Sequence, residues 1–394
     1  MPMNKKLRIL EIVFSDSWGG LEINACRFAS KFSRLGHFVC MAALPESNIA
    51  EYCTKNGIPL FPILPKRKYL DISAARTIRN IIQKEQCNIL HCHMSKDLST
   101  AVLASLLGAG YFNPFGHSGW RQRRCRIVFS QHMDTRYRKK DIFHKWVYKH
   151  IDRIVTVTEA MKRNTITYTS ASHNQVDCVY NGVDRALFQT VSCAEMRKKY
   201  GFSQNTHIIG LVGRLDRLKK QELLVEAAPA VINRFPNIRF IFIGEETNSV
   251  TGRGYKEKLA QLIAQKRLDS YFVFWGFSEN MAEITGLFDV AVLTTPKETF
   301  GMVLIEAMAM GVPVIGTNAG GVPEIIEDWG NGLLFEPNNA QELSECICTI
   351  LGDKELRKSM GKAGIKRIEE MFDLDKKLQE YERLMYGLFA PEVT

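Results

Sequence analysis

Residues 296–326 read PKETFGMVLIEAMAMGVPVIGTNAGGVPEII. The run GMVLIEAMAMG has the length and apolar content of a packed helix, and PVIGTN after it reads as a short buried strand. Two carboxylates, Glu298 and Glu306, stand in this apolar setting. Glu306 lies among Leu304, Ile305, Ala307 and Met308, which predicts burial on most sides, and a buried carboxylate needs partners. Gly301 opens the helix, and its backbone N–H group, with those of Met302 and Val303, forms an anion site reinforced by the helix dipole. Glu298 is placed to hold a ligand's hydroxyls; alternatively it only complements the dipole, with Thr299 as N-cap. Glu306 suits a vicinal diol such as a ribose edge; alternatively it faces a solvent cleft.

The same alternation of strand and helix fills the chain. RILEIVF, FVCMAAL, NILHCHM, RIVFSQH and RIVTVT read as strands before residue 160, and IIGLVG, RFIFIG, YFVFWGF, DVAVLTT and PVIGTN after 200. Segments such as LEINACRFASKFSRLG and QELLVEAAPAVINRF read as the helices between them. Continuous apolar strands with helical crossovers predict parallel sheets covered on both faces. The rhythm stops after Asn181-Gly182 and resumes near His207, which predicts a linker around 184–205. The expected division is therefore a domain over 1–190, a second over 191–372, and a C-terminal helix over 373–394.

In open α/β sheets ligands bind beyond the carboxyl ends of the strands, so residues just after strands carry most information. Ser17-Trp18-Gly19-Gly20-Leu21-Glu22 follows the first strand; Gly19 and Gly20 let backbone N–H groups approach an anion, or simply make a tight turn. Gly213-Arg214-Leu215-Asp216-Arg217-Leu218-Lys219-Lys220 follows the first strand of the second half. Arg214 sits at the strand end and Lys219 opens the next helix, where a cation is unfavourable unless an anion lies nearby; the alternative is a solvated loop. His91 and His93 end a strand on one face with Cys92 on the other. A metal there needs further ligands, which the neighbouring sequence does not offer, and His93 and His132 read otherwise as structural. Asp373 and Asp375 read as helix-capping acids.

With 394 residues, 45% hydrophobic and 24% charged, the chain is of ordinary globular composition and long enough for two or three domains. Its ten cysteines are scattered, including Cys26, Cys40, Cys53, Cys87, Cys92 and Cys178, with neither zinc nor disulfide spacing; reduced thiols and a cytoplasmic enzyme are expected. The N-terminal apolar run is short and interrupted by Glu11, which reads as a strand and not a signal peptide. No run approaches the ~20 apolar residues of a membrane span. Charge is uneven: residues 1–190 carry a net +14 and the remainder −4. Basic clusters at Lys66-Arg67-Lys68, at 121–126 (RQRRCR) and at Arg136-Tyr137-Arg138-Lys139-Lys140 interleave with Tyr69, Tyr111, Phe112, Phe115, Trp120 and Trp146. Each reads as a solvated face when taken singly. Together they point to an anionic surface.

In this order the motifs resemble the retaining glycosyltransferases of family 4, of bacterial cell-envelope glycan type, across nearly the whole chain. Glu298-Thr299-Phe300-Gly301 through Glu306-Ala307-Met308 matches the family's pair of glutamates eight residues apart, Gly320-Gly321-Val322-Pro323-Glu324 follows in place, Asn181-Gly182-Val183-Asp184 with Phe188 precedes the linker, and Gly19-Gly20 matches the N-terminal glycine loop. The resemblance implies the GT-B fold: two Rossmann-like domains facing across a cleft, with the C-terminal helix returning to the N-terminal domain. It implies acceptor binding by the first domain and nucleotide-sugar binding by the second. Arg214 and Lys219 would hold the diphosphate, Phe300, Gly301, Met302 and Val303 its oxygens through backbone groups, Glu306 the ribose, Glu298 the donor sugar, and His93 would lie near the reacting sugar. No metal or other cofactor is implied.

Three positions depart from the family pattern: Lys220 stands where glycine is usual, Gly244-Glu245-Glu246 lacks a second glycine, and Thr294-Thr295-Pro296 replaces a common Pro-Ser. The expected reaction moves a hexose from a UDP-sugar, ahead of a GDP-sugar, to a lipid-linked or envelope saccharide such as lipopolysaccharide core or O-antigen. The enzyme is expected at the inner face of the cytoplasmic membrane. The rivals are a sugar-nucleotide epimerase on the same fold and a basic nucleic-acid binder, the latter without any recognition helix or stacking motif beside its arginines. The residues carry no reading of oligomeric state.

Overall fold

The computed structural model describes residues 6–108, 125–188, 193–247, 249–278 and 280–389. Two parallel sheets organise them. The first contains β1 (Arg8–Val13), β2 (Phe38–Ala43), β3 (Leu60–Pro62), β4 (Ile89–Cys92), β5 (Arg126–Gln131), β6 (Arg153–Thr156) and β7 (Val176–Cys178), ordered β3-β2-β1-β4-β5-β6-β7. The second contains β8 (His207–Val212), β9 (Ile238–Ile243), β10 (Phe272–Gly276), β11 (Val290–Leu293), β12 (Val314–Thr317) and β13 (Gly332–Phe335), ordered β10-β9-β8-β11-β12-β13. Both are Rossmann-like, and helices link successive strands as the alternation predicts.

Each sheet has its own core. Leu10, Ile12, Leu90, Ile127, Phe129 and Ile154 anchor the first, and Ile209, Leu211, Phe240, Phe242, Val292 and Ile315 the second. Burying one such side chain contributes ~1.5–3 kcal/mol, which is why the apolar strand runs are so legible. The three strands without a clear sequence signal, β3, β7 and β13, are all sheet edges of three or four residues. An edge strand pairs on one side only and needs no long apolar run.

By internal contacts, Met1–Val179 with Leu378–Thr394 forms one unit and Tyr180–Lys377 the other. The division falls before the expected 190/191 boundary because Tyr180 packs on Phe300 and Phe372, which tie residues 180–188 to the second unit. The expected linker also contains a helix, Cys193–Lys199, whose buried Arg197 pairs with Asp289 at 2.8 Å. The C-terminal helix Leu374–Gly387 starts in the second unit and returns to the first, where Tyr381 and Glu382 bond to Ser130 and His37. Asp373 caps this helix by accepting the Lys376 N–H, as expected.

In both sheets the connection order reverses at one place: between β1 and β4 in the first, and between β8 and β11 in the second. Every candidate site residue from the sequence follows one of these four strands.

Candidate functional site

In the second unit, the loop after β8 and the loop after β11 meet. Lys219 Nζ lies 2.6 Å from Glu298 Oε2, both side chains half-buried. The Thr294 hydroxyl donates to the Lys219 carbonyl at 2.7 Å and fixes the same junction. Lys219 does not open a long helix as the sequence suggested; it ends a 3₁₀ turn, Arg217–Lys219, ahead of the helix Glu222–Arg234. Lys220 follows with φ 55, a left-handed backbone that explains why glycine is the usual residue there. Arg214 is exposed at the end of β8.

The glycine pair braces Glu298 from behind. Gly321 N–H donates to the Glu298 carbonyl at 2.9 Å, and Gly320 has φ +64. A Cβ on Gly320 would lie 2.2 Å from that carbonyl oxygen, so only glycine allows the approach.

The helix Met302–Ala309 begins at Gly301, φ 108, with no side-chain cap and no acid in its first turn. Thr299 is therefore not the N-cap, because the left-handed Gly301 occupies that position. Phe300 is buried against Tyr180 and Phe372, so only its backbone can serve a ligand. Leu304, Ile305, Ala307 and Met308 are buried, whereas Met302, Val303 and Glu306 form a half-buried stripe at helical spacing. Glu306 is thus less enclosed than its neighbours implied: it stands on the helix's open side, one turn from the uncapped end.

In the first unit the glycine loop has a different character. Gly19 is the N-cap of the helix Gly20–Arg34, and its N–H donates to Glu22 at 3.0 Å, while Ser15 donates to the same carboxylate at 2.6 Å. Glu22 is buried and already supplies the negative charge that the dipole favours, so this helix start competes poorly for an external anion. Of the helix starts at Gly19 and Gly301, only the one at Gly301 lacks such a carboxylate.

The ends of β1, β4 and β5 hold a buried polar cluster that the sequence did not disclose. Glu11 is the register partner of His91. It receives His91 Nδ1 at 3.0 Å and His93 Nε2 at 2.7 Å. His91 Nε2 lies 2.6 Å from the Ser130 hydroxyl, which lies 2.5 Å from the Tyr381 hydroxyl. His93 Nδ1 lies 3.1 Å from His132 Nε2. Burial works to raise the Glu11 carboxyl, but charge and hydrogen bonds from His91 and His93 hold it below the usual range. Burial, then His91, lowers His93; burial, then His93 and His91, takes His132 well below its ordinary value. The expectation that no further ligand lies near His91 and His93 is corrected, since a strand 80 residues away in sequence supplies Glu11. Among the described residues, Glu11, His91 and His93 form the group whose ligand atoms lie within 4.8 Å of one another. All four imidazole nitrogens of that group have hydrogen-bond partners, so hydrogen bonding alone satisfies it.

His93 is 3% exposed with both ring nitrogens engaged, which leaves it no polar atom for a sugar; His132, first read as structural, is the half-buried member. Asp97, also overlooked, opens the helix after β4; burial raises its carboxyl to about 7, against the opposing hydrogen bond from Phe14 N–H. The available signal for Glu11 was a lone carboxylate inside an otherwise apolar strand, RILEIVF.

Comparison with known proteins adds the following. Residues 18–187 match the Glycosyltransferase Family 4 model and residues 192–367 the Glycosyl transferases group 1 model. The chain is 25% identical over 327 residues to N-acetyl-alpha-D-glucosaminyl L-malate synthase of Bacillus anthracis, covering 82% of this chain and 80% of that protein. A glycosyltransferase structure from Rickettsia africae ESF-5 superposes with a TM-score of 0.85 at 21% identity, over 98% of this chain and 100% of that one. HepE of Anabaena, solved with UDP and glucose, superposes with a TM-score of 0.79 at 21% identity, over 96% and 99%. These two structural likenesses speak to the fold.

Proposed function

The chain belongs to the family 4 glycosyltransferases with the GT-B fold, and from that premise we propose that it transfers a hexose, with retention of configuration, from a UDP-sugar to a lipid-linked saccharide. The observation that carries the donor side is the uncapped helix start at Gly301, three residues beyond a carboxylate held by Lys219. The N–H groups of Met302 and Val303 and the dipole suit a diphosphate, and the cations of Arg214 and Lys219 add charge where the leaving group becomes more negative. Glu298 receives the sugar's hydroxyls and Glu306 the ribose diol. As the glycosidic bond breaks, its electron pair moves to the diphosphate oxygen, and the acceptor hydroxyl adds to the anomeric carbon on the same face while its proton passes to that leaving diphosphate oxygen. The cations and amides perform the charge stabilisation, so no metal is required. HepE's complex with UDP and glucose favours the same donor class.

The acceptor reading rests on the surface of the first unit. The Tyr69 and Phe143 rings meet edge-on at 5.9 Å, which sets the segment holding Lys66, Arg67 and Lys68 beside the one that follows Lys139 and Lys140. Leu64, Tyr69, Leu70, Ile72, Tyr137 and Ile142 are exposed in the same segments. No described helix is long and apolar enough to cross a membrane. A basic surface edged with apolar side chains suits an anionic leaflet, at ~1 kcal/mol per cation. Arg121, Arg123 and Arg124, with Tyr111, Phe112, Phe115 and Trp120, lie outside the described residues.

The deciding experiment is thermal stabilisation by a panel of UDP- and GDP-sugars, followed by transfer assays with and without EDTA. A ligand at 100 times its Kd adds ~2.7 kcal/mol. Absence of a shift with every nucleotide sugar would overturn the donor reading. Liposome co-sedimentation that does not depend on anionic lipid or salt would overturn the membrane reading.

A further inference from the structure

The loop that carries Arg214 and Lys219 is held by a carboxylate whose side chain pairs with neither. Asp216, 2% exposed, lies between the two cations with an extended backbone. Its Oδ1 accepts the Leu218 N–H at 2.9 Å and so caps the 3₁₀ turn Arg217–Lys219. Its Oδ2 accepts the Thr251 hydroxyl at 2.9 Å and the Ser249 hydroxyl at 3.4 Å. The backbone repeats the link: Arg217 N–H donates to the Thr251 carbonyl at 3.2 Å, and Leu215 N–H to the Glu245 carbonyl at 2.9 Å. A short 3₁₀ turn has poor hydrogen-bond geometry of its own, so outside contacts decide where it sits. The partner loop, after β9, is itself fixed. Glu246 accepts the N–H groups of Gly254 and Lys256 at 2.8 and 2.9 Å, and Gly252 N–H donates to the Ser249 hydroxyl at 2.9 Å. The loop is folded so closely that a Cβ on Gly252 would lie 2.3 Å from the Thr247 hydroxyl oxygen.

We propose that Asp216 is a positioning residue: by joining the 3₁₀ turn to Thr251 of the neighbouring loop, it fixes the place of the Lys219 ammonium beside Glu298. Lys219 is the last residue of that turn, and its Nζ lies 2.6 Å from Glu298. The lysine stem has four flexible carbons, so the ammonium is only as well placed as its backbone and its partner make it. A bound donor sugar draws on the Glu298 carboxylate, and from then on the anchored backbone carries more of the task. A carboxylate suits the position because it has two acceptor oxygens, one for the turn and one for the second loop. The rate of transfer thereby comes to depend on an uncharged hydroxyl, that of Thr251. The proposal rests on the reading of the second unit as the nucleotide-sugar site.

The test uses the full chain and Thr251→Val, which keeps the side-chain shape, removes the hydroxyl and leaves the cap at Leu218 in place. Transfer is measured in the wild-type and Lys219→Ala backgrounds, and hydrogen exchange is followed over residues 215–221. Thr251→Val should lower kcat about tenfold, with KM for the nucleotide sugar within about threefold, and should quicken exchange over 215–221 by about tenfold. Thr251→Ser restores the hydroxyl and should stay within about twofold of wild type. In the Lys219→Ala background the valine should change kcat by less than about twofold, because the ammonium it helps to place is gone; a merely structural role would give the same loss in both backgrounds. A folded Thr251→Val protein with kcat within about twofold of wild type, equal losses in the two backgrounds, or unchanged exchange each overturns the proposal. If the valine protein does not fold, Thr251→Ala takes its place with the same expected and refuting results. A wild-type chain that turns over no nucleotide sugar would sink the functional reading; faster exchange in the variant would then leave the clamp standing, and unchanged exchange would remove both.

Discussion

Replacing Gly320 with alanine should damage catalysis through a residue it does not contact by side chain. Gly320 has φ +64, and a Cβ there would fall 2.2 Å from the Glu298 carbonyl oxygen and 3.3 Å from the Glu298 nitrogen. Relief to an ordinary contact requires a displacement of ~1 Å, and the carbonyl that must move accepts the 2.9 Å bond from Gly321 N–H. The left-handed backbone costs alanine ~1 kcal/mol, and the strained or lost hydrogen bond costs about as much again. The second unit should therefore lose ~2 kcal/mol. More telling is the effect on the Glu298 carboxylate, since a ~1 Å misplacement of a reacting group lowers the rate on the order of 10²-fold. Gly201 provides the control, with φ +73 and nothing within 4 Å of its would-be Cβ. Gly201→Ala should cost ~1 kcal/mol and leave kcat unchanged. Urea unfolding and single-turnover transfer measured on both variants separate strain from misplacement. Wild-type turnover by Gly320→Ala, or equal loss of activity in the two variants, would refute the reasoning.

Glu298→Gln and Glu306→Gln should each abolish most transfer in a protein that melts normally, because both side chains are half-buried; near-normal turnover in both would remove them from the site. Arg214→Ala and Lys219→Ala should lower kcat by on the order of 10²–10³ with a smaller rise in KM, and an effect on KM alone would make them binding groups only. Asp97→Asn concerns pH. Because burial raises this carboxyl to about 7, the folded chain keeps its proton while the unfolded chain sheds it, so stability falls as pH rises from about 4 to about 7 and stays lower above. The amide removes that cost and should stabilise the protein by up to about 4 kcal/mol above pH ~7, with little change near pH ~4. Chemical denaturation at the two pH values checks this, and an equal change at both would contradict it.

The sequence by itself determined the two parallel sheets, their β–α rhythm and the strand ends that matter. A strand such as β11, buried on both faces, is apolar throughout, and helices crossing over such strands must be amphipathic, so periodicity records both. It also determined the helix start at Gly301, because a left-handed N-cap can be little else than glycine. What only the tertiary structure decided was which polar groups meet. Lys219 and Glu298 are 79 residues apart, and Glu11 and His93 are 82. Those pairings follow from strand order, which the sequence states nowhere: β1 lies beside β4, and β8 beside β11. Burial of Glu22, the openness of Glu306 and the edge strands β3, β7 and β13 were likewise set by what packs alongside them. A single chain's pattern specifies which face of an element is apolar, but the partner that covers a polar side chain comes from another part of the sheet.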